Sequence, residues 1–226
     1  MVQYEQYQLL AGLFRYPDRN LPGQTLQCRE MLTGDYPEAA EILGGFADFV
    51  LSSPLPVIEE VYLKTFHIQS ICYLDIGYMM FGEDYKRGEF LVNMKLEQQR
   101  AGNDCGNDLP DNLVNVLTLI PKLTDRDFIE ELSVRIIIPA IKRMLAEFEP
   151  SRISMKMQAL RQKHKAILRD SDSYGNIYVY ALKALLITFE KDFSGIQFEE
   201  MAIPALNVNS FIGNCVTCSI AKQPQR

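Results

Sequence analysis

The chain has 226 residues, of which 47% are apolar and 23% charged, and its formal net charge is −6. That length can bury a sizeable core, and the acidic balance argues against a nucleic-acid binder, which needs basic patches to face phosphate. The start, MVQYEQYQLL, has no basic segment ahead of an apolar core, and the longest compact apolar run, Ile136 to Ile141, is far too short to span a bilayer. Five cysteines (Cys28, Cys72, Cys105, Cys215 and Cys218) are scattered and odd in number, unlike a secreted disulfide framework. A cytoplasmic protein without signal peptide or membrane segment is expected.

From Tyr4 to Phe14, Tyr7, Leu10, Ala11 and Phe14 stand at helical spacing before Pro17 stops the pattern. A short helix is predicted from Gln24 to Leu32, ended by Gly34. Pro37 suits the first position of a longer one carrying Ala40, Leu43, Ala47 and Val50, which Ser52 to Pro56 breaks. Val57 to Phe66 reads as helix again. From Ser70 to Phe81 the chain is rich in aromatics and methionine with only Asp75 charged, so a helix central to the core is predicted. Gly82 should terminate it, and Asp84 or Glu83 can cap the next helix, from Tyr85 to about Ala101.

After a turn-rich loop from Gly102 to Asn107, a helix is predicted from Leu109 to Leu123. Asp125 to Phe148 is the clearest helix, with Phe128, Leu132, Ile136, Ala140, Met144 and Phe148 recurring at four and Pro139 expected to kink it. Helices from Ser151 to Leu168 and from Ser173 to Phe193 follow, the latter with Ile177, Ala181, Ala184, Leu185 and Thr188 inward. No period-two strand pattern and no internal repeat stands out. The expected fold is all-α, a single-domain bundle of roughly nine or ten helices. It should occupy residues 1–192, with an irregular C-terminal tail over 193–226.

Nothing assembles a catalytic centre. The two histidines lie far apart: His67 reads as a structural residue just past an apolar helix, and His164 as a surface residue among Arg161, Lys163 and Lys165. No nucleophile elbow, zinc-protease motif, P-loop or dinucleotide fingerprint occurs. Cys215-x-x-Cys218 could share a metal or form a redox disulfide, but structural zinc needs four ligands and no second pair supplies them. Asp108-Leu109-Pro110-Asp111 has two readings: a helix start with Asp108 as N-cap, or an acidic rim that attracts a basic peptide. Lys86-Arg87-Gly88 places cations at a helix start, where they are mildly unfavourable, and Gly88 hints at close helix packing or an approaching ligand backbone.

Several of these pieces, in order, resemble the NarJ/TorD/DmsD family of molybdoenzyme maturation chaperones, and the NarJ (nitrate reductase assembly) branch most. They are Leu9-Leu10 with Phe14-Arg15-Tyr16-Pro17-Asp18, Tyr62-x-x-x-Phe66, Tyr73-Leu74, Gly82, Lys86-Arg87-Gly88, then Leu91, Lys95 and Ala101-Gly102. Asp108-Leu109-Pro110-Asp111-Asn112-Leu113, with Val116-Leu117, is similar to the family's E-L-P-D-H-L signature. Asp108 stands for the glutamate and Asn112 for the histidine. The resemblance covers roughly residues 4–150.

It implies an all-α, non-catalytic protein that binds the N-terminal, often twin-arginine, segment of the apo catalytic subunit of a molybdenum oxidoreductase. The segment is held until bis-molybdopterin guanine dinucleotide is inserted. Any contact with that cofactor is then transient, none is stably bound, and cofactor-biosynthesis proteins are further partners. On this resemblance Asp108, Asp111 and Asn112 form an acidic rim with Pro110 and Arg87, beside groove walls Tyr73, Tyr78 and Tyr85. Two other readings stand beside it: a helical adaptor without such a client, and a metal or redox protein using Cys215 and Cys218.

Overall fold

The computed structural model describes residues 4–68, 70–156 and 177–197. Helices follow one another along them: α1 (Gln6–Gly12), α2 (Leu21–Asp35), α3 (Pro37–Ser52), α4 (Leu55–Phe66), α5 (Ile76–Phe81), α6 (Tyr85–Arg100), α7 (Leu113–Leu119), α8 (Arg126–Leu132) and α9 (Ile138–Ala146). Residues 150–156 are helical (α10), and α11 covers Tyr178–Asp192. Among the described residues there is no strand, only an isolated antiparallel bridge between Asp75 and Asn112. The fold is all-α, as the periodicity predicts.

α3 lies between α2 and α11, α1 packs on α2 and α7, and α9 joins α11 to α5. The reason is the apolar spacing of the two packed helices α3 and α11, which buries Leu43, Phe46, Ala47 and Val50 on one and Ala181, Ala184, Leu185 and Phe189 on the other. Burying each large apolar side chain is worth about 1.5–3 kcal/mol, enough to hold helices that would not persist alone. Several boundaries follow local chemistry. Pro37 occupies the first turn of α3, Gly82 ends α5 at φ 64°, and the Asp84 side chain accepts from the Lys86 amide, 2.9 Å away, to cap α6.

Three predicted helices differ in extent. The stretch from Ser70 to Phe81 is helical only from Ile76, because residues 74–76 pair with residues 111–113 instead. Of α5 only Ile76 and Gly77 are buried, so the aromatic and methionine stripe sits at the margin of the core. The helix predicted from Leu109 begins at Leu113. Its N-cap is Asn112, whose side chain accepts from the Val114 amide at 3.0 Å, and not Asp108. The long helix before Phe148 is divided by a π-turn, Ser133–Ile137, directly ahead of Pro139. A wider turn accommodates the missing proline N–H, which is the local form of the expected kink.

Candidate functional site

The bridge between residues 75 and 112 builds the most distinctive feature of the molecule. The Ile76 amide donates to the Asp111 carbonyl at 2.9 Å, and the Leu113 amide to the Leu74 carbonyl at 2.8 Å. This pairing carries the Asp111 side chain into the interior, 0% exposed, where Oδ2 accepts from the Gly77 amide at 3.0 Å. Position 77 has to be glycine for that approach: a Cβ there would lie 2.7 Å from Asp111 Oδ2 and 2.8 Å from the Phe90 ring. The other oxygen, Oδ1, has no hydrogen-bond partner among the described residues.

Burial, then the Asp75 charge, push the Asp111 carboxyl up to about 6, against the opposing pull of the Gly77 amide and Arg87. Burial also raises Asp75, although Arg87 and a hydrogen bond from Asn112 favour its ionised form. Arg87 Nη2 stands 3.4 Å from Asp75 Oδ2, and its guanidinium lies over the Tyr78 ring, 5.2 Å from the centroid. Arg87 Nε is buried and has no partner among the described residues.

Behind the loop, a buried amide network fixes its course. Gln98 Nε2 donates to the carbonyls of Pro110 (2.9 Å) and Asn115 (3.2 Å). Asn103 Nδ2 donates to Gln98 Oε1 (2.6 Å) and Thr118 Oγ1 (3.1 Å), and Asn115 Nδ2 donates to the Leu109 carbonyl (2.9 Å). With its backbone satisfied from inside, the loop turns Asp108 and Leu109 outward, both exposed.

Around those two residues the surface is aromatic. Tyr73 is exposed and packs its ring edgewise on Tyr78, 4.7 Å between centroids. Tyr62 meets exposed Tyr16 at 5.5 Å and the exposed His67 ring at 5.4 Å, next to exposed Ile68. Burial and then the Asp108 charge push Tyr62 up to about 12, and Asp108 and His67 both act on Asp75. Tyr16, Tyr62, His67, Tyr73, Asp75 and Asp108 therefore share one neighbourhood.

Of the predicted site residues, Asp75's neighbours Tyr78, Arg87, Asp111 and Asn112 come together, with Tyr73 beside them. Asp111 does not stand on an accessible rim: it is an interior residue that holds α5 to the loop, which leaves Asp108 as the exposed acid of that motif. Pro110 is half-buried and serves through its carbonyl. Tyr85, 72% exposed, opens α6. An added Cβ at exposed Gly88 would meet no atom within 4 Å, so close helix packing does not explain that glycine. His67, read from the sequence as structural, is exposed and rests its ring against Tyr62.

Nothing local in the sequence marks Tyr16 and Tyr62 as site residues. Their trace in the sequence is Tyr16-Pro17 and Tyr62-x-x-x-Phe66, and only the fold brings them together. His164, Cys215 and Cys218 lie outside the described residues, as does the tail beyond 197. Among the described residues no group of three or more His, Cys, Asp or Glu side chains is placed to hold a metal ion, and no helix is long and apolar enough to cross a membrane. No family model matches the chain, and no curated protein matches it.

Proposed function

We propose that this protein is a peptide-binding chaperone. It takes up the N-terminal, arginine-bearing segment of the apo catalytic subunit of a molybdenum oxidoreductase such as a nitrate reductase, and holds it until the molybdenum cofactor is inserted. The observation that carries the reading is the exposed cluster of Tyr16, His67, Ile68 and Tyr73 around the buried Tyr62 ring, beside the acids Asp75 and Asp108. Aromatic faces accept apolar side chains, and carboxylates accept guanidinium in charge-assisted hydrogen bonds. The ordered motifs that resemble the NarJ/TorD/DmsD family supply the identity of the client.

Calorimetric titration tests it, with peptides from the N-termini of molybdenum-enzyme catalytic subunits and with the double variant Asp108→Asn, Tyr73→Ala. Both residues are exposed, so the variant retains its fold. Micromolar binding that weakens about tenfold or more in the variant supports the reading and its surface, since losing one charge-assisted contact is worth about 1.5–3 kcal/mol. Undiminished binding rejects this surface, and no binding to any such peptide rejects the function.

A further inference from the structure

Arg87 is poorly served where it lies. Its single carboxylate contact, 3.4 Å to Asp75 Oδ2, is well beyond the ~2.7–2.9 Å of a good N–H to carboxylate bond. Its Nε is buried without a partner among the described residues, and so is Asp111 Oδ1, the fully buried oxygen of the second carboxylate that senses its charge. It also stands in the first turn of α6, where a cation is mildly unfavourable, so the helix gives it no reason to be there. What does surround it suits a guanidinium: an aromatic face, Tyr78, and two acids on the paired segments 74–76 and 111–113. The Arg87 and Asp75 side chains are 23% and 27% exposed, so the cluster is open to solvent on one side.

Resting on the chaperone reading above, we propose that Asp75, Tyr78 and Asp111 form a guanidinium site that Arg87 fills in the free protein and that an arginine of the bound peptide takes over. Arg87 is then a built-in competitor. It keeps the partly buried Asp75 paired and offsets the charge of the wholly buried Asp111 while no client is present, and it tunes affinity because the incoming arginine must displace it. A partner arginine reaching in from solvent is free of the α6 backbone and can approach Asp75 at normal hydrogen-bond distance.

The test uses Arg87→Ala, with Arg87→Gln as a second variant that keeps most of the side-chain stem on Tyr78. Thermal melts are run with millimolar N-methylguanidinium against tetramethylammonium at equal ionic strength. Titrations use an arginine peptide and its citrulline counterpart, which is nearly isosteric and uncharged. We expect N-methylguanidinium to raise the melting temperature of the Arg87 variants, and not of wild type or of Arg87→Ala combined with Asp75→Asn. We expect the arginine peptide to bind Arg87→Ala about tenfold more tightly than wild type, with the citrulline peptide unchanged. Absence of selective stabilisation by N-methylguanidinium overturns the site. A gain that is missing, or equal for both peptides, overturns the exchange. If neither protein binds any peptide, the chaperone reading and the exchange fall together, and the melts still decide the guanidinium site by themselves.

Discussion

Two carboxylates join remote segments of this chain, and they are served very differently. Asp192, at the end of α11, accepts from Gln6 Nε2 and the Tyr7 hydroxyl, each at 2.7 Å, and from the Tyr36 hydroxyl. It thereby ties α1 and the α2–α3 corner to the C-terminal helix. Burial, reinforced by Asp192, keeps the Tyr7 hydroxyl protonated well above its ordinary range, so that it remains a donor. Asp111 has one donor, the Gly77 amide, one orphaned oxygen, and a pKa pushed up to about 6. A saturated acid is a lock. An acid left short of partners persists only because its surroundings over-determine it, and such sites gather where a protein binds or reacts. The exposed aromatic surface lies beside Asp111 and not beside Asp192.

Removing the lock should cost most. Asp192→Ala strips three donors and leaves the buried Tyr7 hydroxyl unpaired, so a loss of about 4 kcal/mol is expected in urea unfolding. Gly77→Ala attacks the strained side by placing a methyl between Asp111 and Phe90. A loss of about 3 kcal/mol is expected, with the α5 amides losing protection in hydrogen exchange.

Asp111→Asn should act in the opposite sense. Because the folded-state pKa is raised, the folded protein retains a proton that the unfolded chain releases near pH 4. The Asp111 contribution is therefore full below about 4 and lost as pH rises through about 6. The asparagine keeps an acceptor for Gly77 without the charge. It should stabilise the protein by about 2 kcal/mol at pH 8 and by much less at pH 4, measured as unfolding free energy across that range. Asp108→Asn, three positions before the buried Asp111 but itself exposed, should change stability by less than about 0.5 kcal/mol. Should Asp192→Asn gain stability at pH 8 as Asp111→Asn does, the contrast between lock and strained acid would be void.

Much of the site could be found in the sequence, but its arrangement could not. Asp111 and Arg87 stand out because proline and acids at a helix boundary, and cations at a helix start, break local expectation, whereas only the family resemblance marks Asn112 and Tyr78. Their roles depended on contacts between residues far apart. Asp108 and Asp111 look alike on paper, yet one is exposed and the other wholly buried, since the loop's inward face is set by Gln98, Asn103 and Asn115. No spacing rule links those amides to the loop they hold.

What the sequence determined by itself was the all-helical architecture and most of its punctuation. Helical spacing of apolar residues marks α3, α9 and α11, and Pro37, Gly82 and Asp84 act through their own backbone and nearest amides. Tertiary structure alone decided that residues 70–75 leave the helix their composition favours, that Asp111 turns inward, and that Tyr16 and Tyr62 meet His67 beside Asp108. The physical reason is reach. Helix propensity and capping act within about four residues, whereas the pairing of residues 74–76 with 111–113 offers backbone hydrogen bonds across a separation of more than thirty, which no local pattern encodes.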